Sequence, residues 1–153
     1  MFITMTMSRR ACLPILASLL LLLGCSPANE RADLTERLSQ TVQSAAIGDL
    51  ISINAVTDVT FDKMTVFSGY TPNDDARELL GFDWDVESTP GWANDSDQVV
   101  VLSENEHVSA WFTVTPSQAD FGIESTFLQL PSDRATFRVG LGENGRRILV
   151  PGP

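Results

Sequence analysis

From His107 to Thr115 the chain alternates. Val108, Ala110, Phe112 and Val114 share one parity; Ser109, Trp111, Thr113 and Thr115 share the other. Successive side chains of a β-strand point to opposite faces, so this period of two predicts a strand with one buried face. Such a strand needs hydrogen-bonded neighbours and an apolar cover. The fold must therefore contain a sheet with a second layer against it.

The neighbours are legible nearby. Gln98-Val99-Val100-Val101-Leu102 reads as a buried strand, and Ser103-Glu104-Asn105-Glu106 joins it to the alternating strand as a hairpin. Pro116 ends that second strand. Residues Ala135 to Leu141 and Arg146 to Val150 predict another hairpin, turning at Gly142-Glu143-Asn144-Gly145, where the Asn-Gly pair suits positive φ. Phe61 to Phe67 is rich in β-forming residues, and Leu50, Ile51 and Ile53 begin a strand-like stretch.

Two segments carry helical signals instead. Between Glu30 and Ile47, Leu34, Leu38, Val42 and Ala45 fall on one stripe, with Gly48 as the expected stop. Such a stripe is expected to pack on the chain's own sheet. After Ser68-Gly69-Tyr70, Thr71 is the expected cap and Pro72 the expected first helical residue of a second helix. Asp74 and Asp75 suit its positive end, Leu79 and Leu80 are expected to face inward, and Gly81 stops it. A loop with Trp84 and Trp92 follows from Asp83 to Ser96. The sum is an α+β fold: two helices packed on an antiparallel sheet of four or five strands.

The amino terminus follows a different logic. Arg9-Arg10 precedes Ala11 to Leu23, an uncharged stretch of 13 residues. A membrane-spanning helix needs about 20 apolar residues, so this one is too short. A basic start, a short apolar run and then small residues is the export pattern. Met1 to Thr6 adds nothing to it, and Met7 is a plausible start. The run closes on Leu22-Leu23-Gly24-Cys25, followed by Ser26-Pro27. This segment resembles the lipobox of bacterial lipoproteins, with Leu22, Gly24 and Cys25 in the matching places and Leu23 where a small or β-branched residue is more usual. The resemblance covers about the first 26 residues. It implies cleavage before Cys25, a diacylglyceryl thioether on its sulfur and acylation of the new amino terminus. Ser26 in place of Asp implies an outer-membrane location facing the periplasm. The expected organisation is a signal peptide at 1–24, a lipidated Cys and short tether at 25–30, and a single domain at 31–153. Cys12 leaves with the signal, so no disulfide forms within the mature chain. Phe61-Asp62-Lys63, Tyr70-Thr71-Pro72 and Leu80-Gly81-Phe82-Asp83-Trp84 together resemble small exported bacterial domains without assigned activity. That resemblance brings no catalytic residues.

Charge narrows the function. The chain has 20 Asp and Glu against 10 Lys and Arg, so it lacks the basic excess that binds nucleic acid. From Glu78 to Asp133 there are eleven acidic residues and no Lys or Arg. That surface keeps molecules apart in solution or meets a basic partner. His107 is the only His, expected beside a turn and in solvent, and no Gly-x-Ser-x-Gly elbow accompanies it. Gly140 to Gly145 spells the spacing of a nucleotide loop, but inside a hairpin it lacks the strand and helix that give the spacing meaning. Asp83, Asp85 and Glu87, and then Asn94, Asp95, Ser96 and Asp97, offer oxygen ligands without the glycine and final Glu of an EF-hand loop. No catalytic residue, metal ligand or cofactor is assigned. Tyr70, Trp84 and Trp92 are the candidate ligand or partner surface. The expected function is that of a membrane-anchored envelope lipoprotein acting as a non-enzymatic binding or scaffolding module. It is held to the membrane through lipid on Cys25 and partnered by another envelope protein. Two alternatives are an acidic inhibitor or immunity-like protein that blocks a basic enzyme, and a carboxylate- or Ca²⁺-dependent periplasmic enzyme.

Overall fold

The computed structural model describes residues 27–123 and 127–153; the segment expected to be a signal peptide, Cys25 and Ser26 lie outside them. The chain forms α1 (Pro27–Ser44), β1 (Leu50–Ser52), α2 (Ile53–Val56), β2 (Lys63–Ser68), α3 (Asn73–Leu80), β3 (Gln98–Glu104), β4 (His107–Val114), β5 (Phe127–Pro131), β6 (Thr136–Leu141) and β7 (Arg147–Pro151). Short 3-10 turns occupy Val86–Ser88 and Ser132–Arg134. The architecture is α+β, and both sheets are antiparallel. One runs β4-β3-β2-β5 and the other β1-β6-β7.

The apolar run of β3 is explained by burial on both faces. Val100 and Leu102 join a large core with Met64, Val66, Phe112, Val114, the α1 residues Leu34, Leu38 and Val42, and Phe137, Val139 and Leu149 of the second sheet. Val99 and Val101 face the other way, into a smaller core with Phe67, Ala76 and Leu80 of α3, and Val86. A strand buried on both sides has no polar parity to show.

Helix α1 runs beside the edge strand β4 in the same direction. The Arg31 guanidinium carbon lies 4.2 Å from the ring centre of Trp111. The Thr35 hydroxyl donates to the Thr113 carbonyl at 3.0 Å, and the Gln43 amide donates to the Ser117 carbonyl at 3.2 Å. A backbone acceptor of an edge strand thus finds a partner in a helix, one way to blunt an edge.

Several expectations are corrected. The single sheet is two sheets, because β1 pairs with β6 and not with the β2–β4 group. Strand β5 has no alternating pattern and ends in Pro131; as an edge strand it tolerates a residue without an N–H. Val108 is not on the face of Phe112. A register shift at Leu102/Ser103 turns Val108 toward the smaller core. The strand-like stretch at Leu50 stops at Ser52, and Ile53 opens α2. α1 spans Pro27–Ser44 and not Glu30 to Ile47; beyond it the Asp49 carboxylate accepts the Ala46 N–H at 2.8 Å, and Arg147 donates to the Ala45 carbonyl at 3.1 Å.

The start of α3 is also corrected. Pro72 is its N-cap, and Thr71 turns its hydroxyl onto the Ser68 carbonyl at 2.8 Å. The free Asn73 N–H is instead taken by Glu87 at 3.0 Å, and the Asn73 side chain accepts the Glu87 N–H at 3.1 Å. At the other end Gln129 donates to the Leu79 carbonyl at 2.7 Å, and the Lys63 ammonium to the Leu80 carbonyl at 3.4 Å. Helix ends expose unpaired carbonyls, and here the sheet beneath supplies the donors. In the C-terminal hairpin only Gly145 of the Asn-Gly pair has positive φ, at 69°.

Candidate functional site

Of the three aromatic residues expected to form a surface, Tyr70 and Trp92 pair with each other and Trp84 pairs with Trp111. Tyr70 and Trp92 meet edge to face at 5.6 Å. They are bound into the fold: the Tyr70 N–H donates to the Trp92 carbonyl at 2.8 Å, the Tyr70 hydroxyl to the Ala93 carbonyl at 2.9 Å, and the Trp92 indole N–H to the Thr71 carbonyl at 2.6 Å. Trp84 packs instead on Trp111 at 6.0 Å, with Arg31 across the far ring. Both pairs are half-buried lids on the smaller core, except that Tyr70 remains 51 % exposed. Trp84 borders a shallow pocket with Asn73, Arg77, Asp83 and Asp85. Arg77 is ion-paired there with Asp74 and Asp83.

The acidic loop is occupied internally. Asp85 accepts from Ser88 and from the Asn73 amide, and these hydrogen bonds hold its carboxyl below the ordinary value. Glu87 holds the start of α3. Among the described residues no group of three or more His, Cys, Asp or Glu side chains is placed to hold a metal ion. His107 is exposed, its Nδ1 2.6 Å from the Asn105 carbonyl.

A larger groove, of about 490 Å³, opens where β2, β3 and β5 end beside the C-terminus of α3. Its polar lining includes Lys63, Arg134, Asp62 and Glu106; Leu80 and Phe82 are among its apolar walls. The register explains the grouping. Lys63 pairs with Ser103 on one side and Pro131 on the other, and the Ser132 N–H donates to the Asp62 carbonyl at 2.9 Å, which brings Arg134 alongside. Asp62 also accepts the Asn105 N–H at 3.2 Å. Lys63 is the chain's single lysine. Among the described residues its ammonium has no carboxylate within salt-bridge distance, and the Arg134 guanidinium makes no hydrogen bond or ion pair. Arg138, Arg146 and Arg147 likewise show no ion pair among the described residues, so what distinguishes Lys63 and Arg134 is that they line one groove together.

The turn on the groove's rim adds a second signal. Asn105 and Glu106 both have positive φ, 49° and 63°. A two-residue turn of this kind accepts Asn readily, but Glu at the second position costs about 1–2 kcal/mol. Sequence reasoning passed over the groove because its residues come from four separate stretches. The one local clue was a lone Lys at the head of a β-rich segment.

No known family model, curated protein or solved structure matches the chain.

Proposed function

We propose that this chain is a lipid-anchored envelope lipoprotein whose α+β domain acts as a non-enzymatic binding module. The observation that carries the anchor is the order of basic pair, short apolar run and Leu22-Leu23-Gly24-Cys25, which ends two residues before α1 begins at Pro27. A thiol at the membrane boundary is the nucleophile for lipid transfer. With about 0.8 kcal/mol per buried methylene, two or more acyl chains hold firmly where one does not. Among the described residues no helix is long and apolar enough to cross a membrane. The binding role is supported by the groove, whose volume lies within the range of small-ligand sites.

The test is replacement of Cys25. In cells fed labelled palmitate the parent chain should take up label and sediment with membranes. Cys25→Ser should lose the label and appear in the soluble fraction. Continued membrane retention of that variant, or an unmodified sulfur on the native chain, would rule the anchor out.

A further inference from the structure

We infer that the groove beside Lys63 and Arg134 receives the head group of a membrane phospholipid carrying both a phosphate and an amine. This rests on the lipid-anchor reading for its source of ligand, and on the groove itself for its chemistry.

Position is the first argument. α1 and β4 advance together, from Arg31 at Trp111 to Thr35 at Thr113 and Gln43 at Ser117. Going back from Thr35 to Pro27 at about 1.5 Å per residue covers about 12 Å, which equals between three and four strand residues. The helix therefore begins at the level of Ser109 and Ala110. Cys25 lies two residues earlier, within about 7 Å of chain reach. The helix thus starts toward the end of the sheet that carries the Asn105-Glu106 turn, and that turn lines the groove. On the proposed anchor, that is the end of the sheet from which the chain leads back toward the membrane, while α1 itself packs with the core on the opposite face of the sheet from the groove.

Charge is the second argument. Lys63 and Arg134 offer donors suited to a phosphate diester, the guanidinium in a two-pronged geometry. Asp62 and Glu106 give the same groove two carboxylates, so its formal charge is balanced. A purely anionic ligand would meet repulsion from the rim, while a zwitterion matches both signs. Glu106 supports this, because a glycine would relieve its backbone and yet would place no carboxylate there. Observed strain of this type is a pointer to a functional position. The partly exposed Phe82 and Leu130 on the groove wall suit the glycerol and first methylenes of a lipid better than a fully hydrated solute.

The experiment is native mass spectrometry of the full lipidated chain, released from vesicles of mixed phosphatidylethanolamine, phosphatidylglycerol and phosphatidylcholine. The expected spectrum shows one retained phosphatidylethanolamine. Arg134→Gln and Lys63→Gln should each reduce the retained fraction at least fivefold. Among the described residues the Arg134 side chain has no hydrogen-bond or ion-pair partner to lose, so its variant is expected to fold as the parent does, and circular dichroism checks both. No retained lipid, equal retention of all three head groups, or retention unchanged in both variants would overturn the proposal. Binding of free phosphoethanolamine without any retained lipid would overturn the membrane source. The anchor is read separately, from the mass of the Cys25 peptide in the same sample. An unmodified Cys25 with intact phosphatidylethanolamine retention sinks the anchor and leaves the groove chemistry standing.

Discussion

Gly69 sits where β2 leaves the sheet, and the loop carrying Trp92 crosses directly over it. A Cβ at this position would lie 2.0 Å from the Asn94 carbonyl oxygen, 2.8 Å from its carbon and 3.3 Å from Asp95 Cα. All three are backbone atoms, so no side chain can swing aside. Nonbonded atoms settle at about 3.5 Å or more, so Gly69→Ala must push the loop back by more than about 1 Å. That shift pulls on the hydrogen bonds from Tyr70 N–H to Trp92, from the Tyr70 hydroxyl to Ala93 and from the Trp92 indole to Thr71. At about 1 kcal/mol net for each, the loss is about 3 kcal/mol. For a domain of this size that lowers the melting temperature by roughly 10–15 °C. The assay is thermal unfolding followed by near-ultraviolet circular dichroism, which reports the tryptophans. Gly145→Ala is the control: its Cβ meets nothing within 4 Å, but its φ is 69°. It should cost about 1 kcal/mol from backbone strain alone. If Gly69→Ala is no more destabilising than Gly145→Ala, the close-approach reasoning is refuted.

Leu38 is fully buried at the centre of the α1 stripe, and Leu38→Ala should cost about 2–5 kcal/mol in urea unfolding. Glu106→Gly should stabilise the fold by about 1 kcal/mol by removing left-handed strain from the hairpin turn, with a higher urea midpoint as the readout. The lowered Asp85 carboxyl, held by Ser88 and Asn73, contributes stability that is fully present above the ordinary carboxylate pKa. That contribution is lost as pH falls through the folded value. Asp85→Asn should therefore flatten the acid limb of a stability–pH curve, and an unchanged limb would show that the two bonds carry no linkage.

Local signals in the sequence determined the pieces of the fold. The alternation at Val108 to Thr115, the apolar run Val99 to Leu102, the stripe Leu34, Leu38 and Val42, and the turn at Gly81 each produced the expected type of element. The α+β class followed from those pieces. Tertiary structure decided what touches what. It gave β1 to β6, found a strand at Phe127–Pro131 with no periodic mark, and used a one-residue shift to move Val108 to the opposite face. It also paired Tyr70 with Trp92 and Trp84 with Trp111 over the smaller core, and assembled Asp62, Lys63, Glu106 and Arg134 into one groove. The reason is physical. Periodicity and capping act over one or two turns of chain, so they are written locally. Strand partners and groove walls are chosen by burial and hydrogen bonding between residues tens of positions apart, and no single stretch of sequence holds that choice.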